Sequence, residues 1–156
     1  MRLCRLVYHS TYNISPRTND LAAELKQILA SAIRMNSANG LTGGLVFNRK
    51  FFGQVLEGDQ TAVMQTFSRI HKDRRHKDIV IVEKTQVGER LFGAWSMGYA
   101  GNTELFKALC EEYGRAGEFD PRRMSGPHLT AFILALVTKE ENFASSQKVA
   151  EASAEV

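Results

Sequence analysis

The fold is decided by residues 41–57, which read LTGGLVFNRKFFGQVLE. Two largely apolar runs, 41–48 and 51–57, flank the polar pair at 49–50. This pattern predicts two antiparallel strands joined by a tight hairpin. The turn lacks the favoured Asn-Gly pair, but Asn48 can support it with its side chain.

The chain before the hairpin predicts one strand and one helix. Residues 2–9 alternate in polarity and predict a strand whose apolar face carries Cys4, Leu6 and Tyr8. A turn-rich segment at 10–18 leads to a helix that Thr18 or Asn19 can cap. Apolar residues then recur at spacings of three and four up to Asn39-Gly40, a pair that suits a helix end.

The chain after the hairpin predicts a second helix and two more strands. Asp59 can cap the helix, and residues 79–83 form a β-branched run typical of an interior strand. Trp95, Met97 and Tyr99 alternate with small residues in a last strand. The order predicts an α+β, ferredoxin-like βαββαββ sheet with two helices on one face.

Two further helices are predicted at the C-terminal side. Their apolar residues are Leu105, Phe106, Leu109, Cys110 and Tyr113, then Leu129, Phe132, Ile133, Leu136 and Val137. Because the first two helices cover one side of the sheet, we expect these to pack on the other side or on a partner. We therefore divide the chain into a domain at 1–101, a helical extension at 102–143 and a disordered tail at 144–156.

Composition indicates an ordinary soluble protein. With 156 residues, 44% of them hydrophobic and 24% charged, the chain can form one compact core. No apolar run approaches the roughly 20 residues that span a membrane, and the N-terminus lacks the apolar segment of a signal peptide. We expect a cytoplasmic protein. Two distant cysteines, Cys4 and Cys110, indicate neither a disulfide framework nor a metal site.

A basic cluster follows the second predicted helix. It comprises Arg69, Lys72, Arg74, Arg75 and Lys77, with His71 and His76 among them. Such a cluster can hold a phosphate or a nucleic-acid backbone, or it can be a solvated helix end.

Three polar residues stand where the pattern calls for apolar ones. Tyr8 follows Leu6 on the apolar face of the first strand, Gln54 shares a strand face with Phe52 and Leu56, and Asn36 continues the apolar stripe of the first helix. Each alone is more often structural than functional. Together, a phenol and two amides aimed at one interior can bind a planar ligand with donors and acceptors along one edge, such as a flavin. Ile28 and Ile70 could cover its two faces, although both also suit an ordinary core.

The chain resembles the BLUF domains, sensors of blue light using flavin, over residues 2–101. The resemblance rests on five separated motifs in the family's order: LVYHS at 6–10, NSANGLTG at 36–43, FGQVLEG at 52–58, RRH at 74–76 and WSM at 95–97. It implies FAD, with FMN as the alternative, held by Tyr8, Ile28, Asn36, Gln54, Ile70, Arg69 and Arg75. Arg69 and Arg75 would lie near its phosphates. Met35 departs from the family, several of whose members carry Asn or His there.

The resemblance also implies a mechanism. Tyr8 would supply an electron and then a proton through Gln54, which would be left rotated or tautomerised. Trp95 and Met97 would carry the change to the surface. The chain would not be an enzyme. It would form a homo-oligomer and would signal to a separate protein, such as a cyclic-dinucleotide phosphodiesterase or another regulator.

Two rival functions share this fold class. The basic cluster favours a nucleic-acid-binding module, although no aromatic strand motif of the RNA-recognition type occurs. A small hydrolase would need a nucleophile and a base at an interpretable spacing, and we find none. A yellow purified protein would distinguish a flavoprotein from both.

Overall fold

A computed structural model describes residues 2–13, 21–95, 97–100, 108, 111 and 119–139. The elements in chain order are β1 Leu3–Tyr12, α1 Leu21–Ala38, β2 Thr42–Phe47, β3 Phe51–Asp59, α2 Gln60–Lys72, β4 His76–Gln86, β5 Gly98–Ala100, a 3-10 turn at Pro121–Arg123 and α3 Gly126–Lys139. No helix in this described part is long and apolar enough to cross a membrane.

The five strands form one sheet in the order β4-β1-β3-β2-β5. All neighbouring strands are antiparallel except β2 and β5, which are parallel. One face of the sheet, here called the helix-pair face, packs against α1 and α2 through Leu6, Tyr8, Leu56, Ile33, Val63 and Phe67. The predicted ferredoxin-like α+β fold is confirmed.

The other face of the sheet, here called the α3 face, packs against α3. Its core joins Val7, Val46 and Val55 to Leu129, Phe132, Ile133, Leu136 and Val137. A Cβ atom on Gly44 would lie 2.8 Å from side chains of both Phe92 and Ile133, so a residue without a side chain is needed for this close approach. The fourth predicted helix therefore packs on the sheet. Of the third, only residues 108 and 111 are described, both helical, and the tail at 144–156 lies outside the described residues.

The hairpin turn and the end of α1 have the predicted side-chain and backbone features, whereas the start of α2 does not. Asn48 Oδ1 accepts from the backbone N–H groups of Lys50 and Phe51 at 3.1 and 2.8 Å. Gly40, with φ of 67°, follows the end of α1 in the left-handed region. Asp59 precedes α2 as predicted, but its side chain makes no capping bond. The backbone N–H of Gln60 instead donates to the Arg2 carbonyl at 3.0 Å.

The β-branched run at 79–83 does not lie inside the sheet, contrary to expectation. It belongs to β4, which among the described strands pairs with β1 alone and lies at the edge of the sheet. Val80 and Ile81 are 45% and 41% exposed. β-Branched side chains favour an extended backbone at an edge as well as in the interior of a sheet. The prediction of a strand was therefore correct, but the prediction that it lies in the interior was wrong.

Contrary to the prediction, Trp95 and Met97 do not lie on the same face of a strand. The last strand begins only at Gly98, so the period-two alternation of a strand does not apply at 95–97. Trp95 packs in the core under α3, whereas Met97 packs in the core of the helix-pair face. The chain thus passes from one side of the sheet to the other between these residues.

Candidate functional site

A cavity of about 220 Å³ opens between α1, α2 and the helix-pair face of the sheet. All seven residues predicted to hold a ligand line it: Tyr8, Ile28, Asn36, Gln54, Arg69, Ile70 and Arg75. They come from strands β1 and β3, helices α1 and α2, and the turn that precedes β4. The structure therefore brings together at one place residues that lie up to 67 positions apart in the sequence.

Tyr8, Gln54 and Met97 form a buried chain of contacts beside this cavity. Tyr8 on β1 is the direct partner of Gln54 on β3, so both side chains lie on the same face. The Tyr8 hydroxyl donates to Gln54 Oε1. Gln54 Nε2 donates to Met97 Sδ at 3.7 Å. The amide, 4% exposed, is thus engaged at both ends.

Tyr8 is a neutral phenol in this setting. Its side chain is 1% exposed, and the Phe67 ring contacts it edge-on with 5.4 Å between ring centroids. Burial, with a smaller contribution from the Asp73 charge, raises the pKa of Tyr8 above its ordinary value. The hydroxyl therefore keeps its proton and serves as the donor to Gln54.

Asn36 places a second amide at the cavity near the end of α1. It is 1% exposed, and its backbone carbonyl accepts from Leu41 N at 2.8 Å, which ties the helix end to the start of β2. Ile28 on α1 and Ile70 on α2 supply half-buried apolar walls, and Met35 also lines the cavity. The cavity thus combines apolar sides with polar groups from separate elements.

The two predicted arginines differ in their surroundings. Arg69 is exposed, and its Nη2 donates to Thr66 Oγ1 at 3.1 Å. Arg75 binds Asp73 through Nε and Nη2, with a shortest distance of 2.6 Å. Burial acts to raise the pKa of Asp73, but the hydrogen bonds and charge of Arg75 outweigh it and hold that pKa below its ordinary value. Sequence reasoning missed this pair, although an acid two residues before Arg75 was a usable signal.

Ser10 also belongs to the site and was missed, and its partner His76 was noted only as part of the basic cluster and the RRH motif. The Ser10 hydroxyl and His76 Nδ1 lie 2.7 Å apart, and His76 lines the cavity. Ser10 continues the Leu6–Tyr8 face of β1, but the sequence predicted that the strand ends at residue 9. Burial lowers the pKa of His76 to about 4, so this ring is neutral near pH 7.

The residues fit a planar heteroaromatic ring. Three buried polar side chains, on Tyr8, Asn36 and Gln54, border one cavity with apolar walls, and cationic side chains stand at its rim. A flavin carries donors and acceptors along its pyrimidine edge and a phosphate at the end of its ribityl chain. Donor type, burial and charge therefore match such a ligand.

Comparisons with known proteins agree on one family. Residues 3–98 match the family model described as BLUF, sensors of blue-light using FAD. Photoactivated adenylate cyclase subunit alpha of Euglena gracilis is 35% identical over 71 residues, which cover 46% of this chain and 7% of that protein. The match thus spans a small part of this much longer relative.

Solved structures match over more of the chain. The photo-activated state of BlsA has a TM-score of 0.78 at 31% identity, and the match covers 88% of this chain and 96% of that one. Klebsiella pneumoniae BlrP1, solved with FMN and cyclic diGMP and no metal ions, has a TM-score of 0.63 at 30% identity, over 84% of this chain and 34% of that one.

His76 makes the stability of the fold depend on pH. Its folded-state pKa of about 4 lies below its ordinary value of 6.5, so the unfolded chain binds a proton that the folded protein excludes between these values. Stability is therefore lost as the pH falls through this window. Between pH 7 and pH 4.5, we expect the free energy of unfolding to fall by about 2 kcal/mol more than in His76→Gln.

Urea unfolding of both proteins at several pH values checks this expectation. The lowered pKa values of Asp73 and Asp120 take effect at more acidic pH, and their main partners, Arg75 and Arg122, are present in both proteins. Parallel stability curves for the wild type and His76→Gln would contradict the role given to His76.

Proposed function

The chain belongs to the BLUF family of flavin-binding blue-light sensors, and from that membership we propose that Tyr8 and Gln54 carry its light reaction. The protein is a photoreceptor whose light-absorbing group is a flavin. The proposal for the two residues is supported by one observation: a buried phenol donates to a buried amide whose other end contacts Met97, all beside the cavity.

The chemistry needs an electron donor and a group with two hydrogen-bonding arrangements. A flavin excited by blue light is a strong oxidant. Tyr8 is the electron donor of the chain, and because its hydroxyl points at Gln54 Oε1, loss of an electron is coupled to movement of its proton toward that amide. When both the electron and the proton have returned to Tyr8, Gln54 is left rotated or tautomerised, with its donor and acceptor exchanged.

Small energies are sufficient for signalling by this route. A hydrogen bond contributes about 1 kcal/mol net, and useful coupling between sites takes about 1 to 3 kcal/mol. Exchange of the Gln54 ends would alter its bonds to both Tyr8 and Met97. Met97 is therefore the nearest route out of the site, and Trp95, two residues earlier, is the next.

We assign the remaining cavity residues to flavin binding. Asn36 and Gln54 would bond the pyrimidine edge, Ile28 and Ile70 would cover the ring, and Arg69 would pair with phosphate. At Arg75 a phosphate would share the guanidinium with Asp73. We propose FAD over FMN because exposed Lys72 and Arg74 flank the cavity residue Asp73 in sequence and can meet a second phosphate. Release of the cofactor by heat, followed by its chromatographic identification, decides between the two.

We further propose that the chain is not itself an enzyme and that the light signal passes to a separate protein. A cyclic-dinucleotide phosphodiesterase or another regulator is a suitable class of partner, since the BlrP1 structure holds cyclic diGMP. The outer edge of β4, a strand that carries exposed Val80 and Ile81, offers a site for strand-to-strand self-association. Light scattering in the dark and under blue light should detect a homo-oligomer, and a monomer in both conditions would argue against one.

Tyr8→Phe and Gln54→Leu should each retain the flavin but lose the reversible red shift of its absorption under blue light. Each change removes one side of the hydrogen bond that the light reaction uses, while the apolar walls remain. Absorption spectra before and after illumination measure the effect. Tyr12→Phe is the matched control: Tyr12 lies on the same strand, but its hydroxyl bonds Glu24 at 2.5 Å. A full red shift in either test variant would refute the assigned roles.

Asn36→Ala should weaken flavin binding about five- to tenfold and leave the red shift of the bound fraction intact. This is the loss expected when one hydrogen bond to the ligand is removed. Titration of refolded or stripped protein with flavin gives the dissociation constant. Asn39→Ala, an exposed amide at the same helix end, serves as the control. Equal affinities for wild type and Asn36→Ala would exclude this role.

A further inference from the structure

We propose that Glu57 is a positioning residue whose buried carboxylate fixes the segment 91–97 and thereby holds Met97 against Gln54. The effect on the light cycle rests on the function proposed above. The effect on the position of the segment does not, since it follows from contacts among residues of this chain alone.

The carboxylate of Glu57 is fully buried and accepts three hydrogen bonds. Leu91 N donates to Oε2 at 3.0 Å, Phe92 N donates to Oε1 at 2.7 Å, and Arg5 Nε donates to Oε2 at 2.8 Å. Its side chain is 0% exposed and that of Arg5 is 14% exposed. A buried carboxylate is costly unless such donors surround it, so this site is built around the charge.

The bonded segment depends on this carboxylate for its position. Residues 88–95 form turns and bends rather than strand, so their backbone N–H groups lack the regular partners of a sheet. Glu57 supplies acceptors to two successive N–H groups there. The Phe92 side chain, fully buried, is then packed against Gly44 of β2 and lies 6.3 Å from the Trp95 ring centroid.

The fixed point at Phe92 is connected to Met97 by a short series of bonds. Trp95 N donates to the Phe92 carbonyl at 3.1 Å, and the Trp95 carbonyl accepts from Gly43 N at 3.2 Å. The parallel pairing of β5 with β2 then begins at Gly98. Met97 thus lies between two anchored points, and its sulfur meets Gln54 Nε2 as a result.

Gln54 and Glu57 therefore hold the same segment from opposite faces of one strand. They are three residues apart on β3, and an odd spacing places their side chains on opposite faces. Gln54 contacts the end of the segment on the helix-pair face, and Glu57 binds its start on the α3 face. A rearrangement of the Gln54 amide would therefore act on Met97, while the other end of the segment stays fixed by its hydrogen bonds to Glu57.

Arg90 strengthens the same attachment. Its Nη1 donates to Thr42 Oγ1 at 2.9 Å and to the Glu57 carbonyl at 3.2 Å, and its Nη2 donates to the Gly40 carbonyl at 2.9 Å. These bonds join the segment to the ends of α1, β2 and β3. Arg90 therefore offers a second, independent place at which the segment can be released.

Glu57→Gln in the flavin-loaded protein tests the proposal. Its amide has one acceptor oxygen, and its NH₂ group would face a backbone N–H donor, so at least one bond to the segment is lost. Trp95 is the only tryptophan of the chain, so its fluorescence reports this segment alone. We expect red-shifted emission and about twofold stronger quenching by acrylamide in the dark. Because the released segment can follow a rearranged Gln54, recovery of the dark state after illumination should be about fivefold slower, the factor of one lost hydrogen bond.

The control and the fallback use the same two measurements. Glu89→Gln makes the same charge change at an exposed neighbour and should leave both readings as in the wild type. If Glu57→Gln does not fold, Arg90→Gln should shift both readings in the same direction. Unchanged Trp95 fluorescence in the folded variant overturns the proposal.

The two readings also separate this proposal from the proposed function. A wild type without any red shift would refute the light reaction of Tyr8 and Gln54, yet the fluorescence comparison would still decide the role of Glu57. Altered Trp95 fluorescence with an unaltered recovery rate would show that Glu57 positions the segment but has no role in the light cycle.

Discussion

The register between β1 and β3 is the constraint on which the site depends. It sets Tyr8 directly opposite Gln54 on the helix-pair face, where both side chains are almost completely buried. A buried amide has two ends to satisfy, and here a phenol satisfies one and a thioether the other. A shift of this register by one residue would turn Gln54 toward α3 and abolish the cavity chemistry.

The two faces of the sheet differ in how the helices cover them. On the helix-pair face, α1 and α2 leave a cavity between them that polar groups border. On the other face, α3 closes over a core that is apolar apart from a few polar groups such as Glu57. The buried carboxylate of Glu57 in that core needs hydrogen-bond donors from the chain itself, and the backbone N–H groups of Leu91 and Phe92 supply them.

Local patterns predicted the elements and most of the site, because each depends on neighbours in sequence. Alternation placed Tyr8 and Gln54 inward, and helical spacing placed Asn36 at the same interior. Long-range pairing was not predictable in this way: the β-branched run of β4 fits an edge as well as an interior, and Trp95 and Met97 separate because their strand starts later. Glu57 and Asp73 went unnoticed, because an acid reveals its role only through partners such as Phe92 N or Arg75.

The position of β3 in the sheet bears on how the proposed rearrangement of Gln54 would be transmitted. β3 is the central strand, bonded along both edges to β1 and β2, so its backbone is among the least able to move. A rearranged Gln54 amide can therefore not be accommodated by the strand that carries it. The adjustment falls on the partners of the amide, of which Tyr8 is confined within β1 and Met97 lies in irregular chain. The proposed response would thus be directed toward the segment that crosses from one face of the sheet to the other, next to the core that α3 covers.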